Sequence, residues 1–146
     1  VLVLVLLFFL GILPSTATMT MTTEPYHTTA NLGENVILRC VFDFPEGFRV
    51  PYVIQWEKKG VKIPIYIWYD GYHPHIGEGY ENRVSLSGRA SLNLTNVRDT
   101  DQGWYECKVF FLNRPPEPIK NGTWVHLDVL GKFFFVLNFH FINVAI

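Results

Sequence analysis

The chain has 146 residues, 49% hydrophobic and 16% aromatic, with 12 basic against 13 acidic side chains. That length suits one domain of roughly 100 residues with two extensions and leaves no room for a second complete core. A formal net charge of −1 sets up no long-range field toward nucleic acid or an anionic membrane surface, so charge nominates neither as a partner.

Residues 1–13 are apolar apart from Gly11, and Pro14, Ser15, Thr16 and Ala17 follow with the small residues a signal peptidase reads. Residues 1–17 are therefore expected to be a signal peptide, truncated at its start because it lacks both an initiating Met and a basic n-region. A membrane anchor is the competing reading, but the stretch is shorter than the roughly 20 apolar residues a span needs. Residues 18–25 are Thr-rich, without apolar periodicity, and read as a flexible lead-in.

A first strand is expected near 26–30, then a turn at Asn31-Leu32-Gly33-Glu34. Val36, Leu38 and Cys40 alternate inward as a second strand, 42–51 is a loop, and 53–58 is a strand around Trp56. The segment 63–69 alternates isoleucine with bulkier residues and has Pro64 early, which suits an edge strand. Residues 70–82 are rich in turn formers. Strands at 83–86 and 90–94 join through Ser87-Gly88, and two more are expected at 103–111 and 122–129. The loop between those two, 112–120, contains Pro115, Pro116 and Pro118, which stiffen it. The apolar tail, 130–146, is rich in residues that A/T-rich codons encode, and Gly131-Lys132 can be written with a splice-donor-like GT. The hypothesis is translated intron. The alternatives are an extra strand or a membrane anchor, the latter disfavoured by Asn138, His140 and Asn143.

One constellation stands out. Cys40 is followed sixteen residues on by Trp56, and then by Asp101-Gln102-Gly103-Trp104-Tyr105-Glu106-Cys107. Two cysteines on facing sheets, a tryptophan packed on their sulfurs and a tyrosine two residues before the second cysteine form the central pin of an all-β, immunoglobulin-like β-sandwich. The 66 residues between Cys40 and Cys107 leave room for two extra strands, which selects the variable type. An exported chain oxidises such a cysteine pair. Arg83 and Asp101 fall where the variable type closes one end with a salt bridge.

Catalytic readings are thin, because no nucleophile elbow, phosphate-binding glycine loop or paired-cysteine zinc pattern is present. His73-Pro74-His75 has no third donor in register. No enzyme activity, cofactor or metal is expected. Asn93-Leu94-Thr95 and Asn121-Gly122-Thr123 are N-glycosylation sequons, Asn93 and Asn121 being the acceptors. Alternation puts Asn93 on the outer face of the sheet expected from 26–30, 36–40, 83–86 and 90–94, where a glycan would shield that sheet. On the other sheet, with Trp56 and Cys107 inward, alternation puts Val53, Gln55, Glu57, Tyr66, Trp68, Glu106, Lys108, Phe110, Trp124 and His126 outward. Large aromatics with charges among them read as a partner-binding face, with cover by loops or a following domain as the alternative.

The blocks Pro51-Tyr52-Val53-Ile54-Gln55-Trp56, Ile63-Pro64-Ile65-Tyr66-Ile67-Trp68-Tyr69, Ala90-Ser91-Leu92-Asn93-Leu94-Thr95-Asn96, Asp101 to Val109 and Asn121-Gly122-Thr123-Trp124 resemble the first immunoglobulin domain of the turtle family. The resemblance covers 26–129, the expected variable-type domain. It implies a single-pass cell-surface parent with several immunoglobulin domains followed by fibronectin type III domains. Membrane attachment would then come only through a C-terminal region beyond this chain. It also implies neuronal adhesion, often homophilic, in axon guidance, dendrite patterning and synapse formation, by contact with a like domain. The alternative is a secreted single-domain ligand-binding or decoy protein.

Overall fold

The computed structural model describes residues 25–115 and 122–131. The expected signal peptide, nearly all of the lead-in, the sequon acceptor Asn121, part of the proline loop and residues 132–146 lie outside the described residues. Among the described residues nine strands form: β1 Tyr26–Asn31, β2 Val36–Leu38, β3 Tyr52–Lys58, β4 Tyr66–Tyr69, β5 His75–Ile76, β6 Val84–Ser87, β7 Ser91–Leu94, β8 Gly103–Phe111 and β9 Thr123–Leu130. They assemble into a six-stranded sheet ordered β1-β9-β8-β3-β4-β5 and a three-stranded sheet ordered β2-β7-β6. Among the described residues no helix is long and apolar enough to cross a membrane.

The core lies between the sheets, filled by the inward residues of alternating strands: Leu38 on β2, Ile54 and Trp56 on β3, Leu92 and Leu94 on β7, Tyr105 on β8 and Leu127 on β9, all without solvent exposure. Cys40 and Cys107 are disulfide-bonded across it. The Trp56 indole N–H donates to the Ala90 carbonyl at 2.8 Å, so the largest core side chain leaves no polar atom unmet. Cys40 lies just past the end of β2, where the Ser91 side chain replaces the ladder: Oγ accepts from the Cys40 N–H at 3.0 Å and donates to its carbonyl at 3.2 Å.

One end of the sandwich is closed by charge. The Arg83 guanidinium pairs with the Asp101 carboxylate, both buried, and also donates to the carbonyls of Gly79 and Thr95. The same carboxylate accepts the Arg98 N–H at 2.8 Å, and the Tyr105 hydroxyl donates to the Asp101 carbonyl at 2.5 Å. Burial holds the Tyr105 hydroxyl pKa far above its usual value. Aromatics close the opposite end. Phe42 and Phe44 leave the loop after β2 and pack on Tyr52 and Phe111, with ring centroids 5.1–6.2 Å apart.

Two expectations change. β1 pairs in parallel with β9, and so joins the six-stranded sheet and not the sheet that carries Asn93. The turn after β1 makes the crossing: Leu32 N–H donates to the Leu130 carbonyl, whereas Gly33, at φ +82°, donates to Val97 on the other side. Pro64 lies before β4, which runs between β3 and β5 and is not an edge. The edge is taken by the two-residue β5, one of the two extra strands expected between the cysteines, inside the turn-rich segment 70–82.

Candidate recognition face

Register fixes which side chains share the outer face of the six-stranded sheet. Opposite residues on neighbouring strands point the same way. Val53 faces Tyr69 on β4 and Phe110 on β8; Gln55 faces Ile67 and Lys108; Glu57 faces Glu106. On β9, Trp124 stands opposite Glu106 and His126 opposite Trp104, and His27 of β1 completes that row. The face therefore has an apolar row at one end (Tyr69, Val53, Phe110), a charged middle and an aromatic row at the other end. Phe110 and Tyr69 are 45% and 36% exposed, a large fraction for aromatics in a sheet.

Tyr66 and Trp68 do not belong to it. They stand opposite Trp56 and Ile54, whose side chains are core, so both turn inward. Tyr66 is buried, with its hydroxyl bonded to the Leu86 backbone, and burial raises its pKa. Trp68 packs beside Tyr52 at 5.3 Å between ring centroids. The cause is a break in alternation before the strand: Ile65 and Tyr66 are consecutive and both buried. A slip of one residue exchanges the faces of a strand. Ile67 and Tyr69 thus occupy the outer positions assigned to Tyr66 and Trp68. Trp104, on the same side of β8 as Glu106, is a further member that the sequence reading missed, although strict alternation back from Glu106 leads to it.

The charged middle is a connected ladder. Lys108 Nζ lies 2.8 Å from Glu57 Oε2 and 3.5 Å from Glu106 Oε2. Gln55 donates to Glu57 Oε1 at 2.5 Å, and Glu106 Oε1 accepts the Gly122 N–H at 3.2 Å. The hydrogen bond from Lys108 holds the Glu57 carboxyl below its usual pKa, and the bond to Glu57, helped by Glu106, raises that of Lys108. Gly122 is required here, since a Cβ would sit 2.5 Å from the Cys107 carbonyl oxygen and 2.8 Å from Glu106 Cγ.

At the aromatic end, the Trp104 ring meets His126 at 4.8 Å and His27 at 5.4 Å, both edge-on, and lies 6.3 Å from Trp124. On the other sheet, Asn93 is half-buried, with its amide 3.4 Å from Ser85 Oγ. His73 is exposed in the turn before β5, and His75, the first residue of that strand, is exposed as well.

Residues 23–130 match the immunoglobulin V-set domain family. The chain is 58% identical over 116 residues to Protein turtle of Drosophila melanogaster and 49% identical over 107 residues to Protein turtle homolog B of Homo sapiens. Each match covers 73% of this chain and 8% of the relative, so the chain spans a small part of those proteins. Among solved structures, the V domain of amphioxus IgVJ-C2 is 27% identical with a TM-score of 0.56, over 70% of this chain and 98% of that one.

Proposed function

Because this chain belongs to the immunoglobulin V-set family, we propose that it is an extracellular recognition module, not an enzyme, that binds a protein partner through the outer face of its six-stranded sheet. The favoured partner is a like or related immunoglobulin domain, in neuronal recognition of the kind the turtle resemblance implies. The observation that carries this reading is the row of Tyr69, Val53 and Phe110 beside the Lys108, Glu57 and Glu106 ladder. An aromatic anchor next to paired charges is the composition of binding hot spots. A cation between two carboxylates also suits a self-contact, since a two-fold axis can exchange such pairs between copies. N-glycosylation at Asn93, on the opposite sheet, would leave this face free.

Beads coated with the chain test it. Aggregation should fall at least tenfold with Phe110→Glu or Lys108→Glu while thermal melting stays near that of the parent. Unchanged aggregation in both folded variants would move the contact elsewhere, and no aggregation of the parent chain would rule out the self-contact.

A further inference from the structure

We propose that His27, His126 and Asp128 form a binding site for a divalent transition-metal ion of the zinc class, at the border of β1 and β9. Parallel pairing sets His27 directly opposite His126. Asp128 lies two residues further along β9 and so on the same face. One donor atom from each of the three falls within 4.8 Å of the others. His126 Nδ1 is buried 3.2 Å from Asp128 Oδ1, near enough for an ion pair but without hydrogen-bond geometry to it or to any other described residue, so a basic nitrogen is aimed into the cluster without a hydrogen bond.

Two imidazoles and one carboxylate suit Zn²⁺ and its neighbours, whereas Ca²⁺ and Mg²⁺ require oxygen-rich shells. Zinc bonds of about 2.0–2.1 Å bring tetrahedral ligand atoms to about 3.4 Å from one another, so the cluster must contract slightly. His27 is exposed and the Asp128 side chain 45% exposed, so both can turn inward, while Trp104 holds the His126 ring from the side. Three protein donors leave a fourth position open to water. The site rests on this corner alone and not on the recognition reading. The competing reading is a metal-free stack of rings.

Calorimetric titration of Zn²⁺ into the full chain, with Ca²⁺ as the hard-cation control, separates the two. One equivalent should bind saturably, with a change in tryptophan emission because Trp104 touches both histidines. His27→Ala and Asp128→Asn should each weaken binding at least tenfold without lowering the melting temperature of the metal-free protein. The double variant His73→Ala/His75→Ala should bind like the parent chain. The proposal is overturned by absence of saturable binding up to about 1 mM Zn²⁺, by equal binding in His27→Ala and Asp128→Asn, or by loss that follows His73 and His75.

Discussion

Asp101 is 2% exposed, yet its carboxylate meets the Arg83 guanidinium and the Arg98 N–H, and its carbonyl takes the Tyr105 hydroxyl. Removing one member of a buried ion pair strands the other, at a cost of about 3–5 kcal/mol. Asp101→Ala should therefore lose stability on that scale in urea denaturation, and a loss under about 1 kcal/mol would mean that water reaches Arg83. A smaller cost is expected at Ser91, whose hydroxyl completes the ladder at Cys40; Ser91→Ala should cost about 1 kcal/mol. The two residues differ in legibility. The motif around Asp101 is dense enough in sequence to announce the ion pair and the tyrosine corner. The role of Ser91 depends on β2 ending two residues before Cys40, which no local pattern marks. The cluster of His27, His126 and Asp128 is hidden for a related reason, since His27 is about 100 residues from the other two in sequence and meets them only through the β1–β9 register.

Strand positions are legible because apolar alternation and turn residues mark them; strand phase is legible only where a known core residue anchors it. Trp56 and Cys107 anchor β3 and β8, and the outer residues of both emerge as expected. β4 has no such anchor, and its preceding Ile63-Pro64-Ile65 mimics alternation while lying outside the strand. This assignment has a direct check: Ile67→Lys should cost under about 1 kcal/mol, whereas Tyr66→Lys, which buries an ammonium, should cost more than about 3 kcal/mol or prevent folding. Equal costs would return β4 to the other phase. The ladder across β3 and β8 adds a pH signature. Glu57 has a lowered folded pKa, so its stabilisation is full above the ordinary glutamate value of about 4.3 and is lost as pH falls through the folded value. Lys108 has a raised one, so its share is full below about 10.4 and is lost as pH rises through the folded value. A double-mutant cycle on Glu57 and Lys108 should give a coupling of about 0.5 kcal/mol that is flat from about pH 6 to 9 and fades below about pH 4, as suits side chains about a third exposed.

For the molecule as a whole, the question is what keeps a three-stranded sheet seated on a six-stranded one. Apolar burial holds them together, but a core of one small domain leaves a narrow margin over chain entropy. The Cys40–Cys107 bridge, with a sequence separation of 67, ties the end of β2 to the middle of β8. Closing a loop of that length removes denatured-state entropy amounting to about 4 kcal/mol. Trp56, opposite Cys107 in the ladder, and Leu38 are fully buried in the core, so Cys40→Ala/Cys107→Ala should retain the strand order and the outer face while losing most of that margin. Two measurements on the double variant check this. Urea denaturation should show a midpoint lowered in proportion to about 3–4 kcal/mol, and bead aggregation at low temperature should persist for the fraction still folded. A variant that keeps its full stability would place the strength of the domain in the buried ion pair and the aromatic cap. One that loses aggregation while its circular dichroism is unchanged would mean that the bridge positions Lys108 and Glu106, the neighbours of Cys107 on β8, and so shapes the recognition face as well as holding the fold.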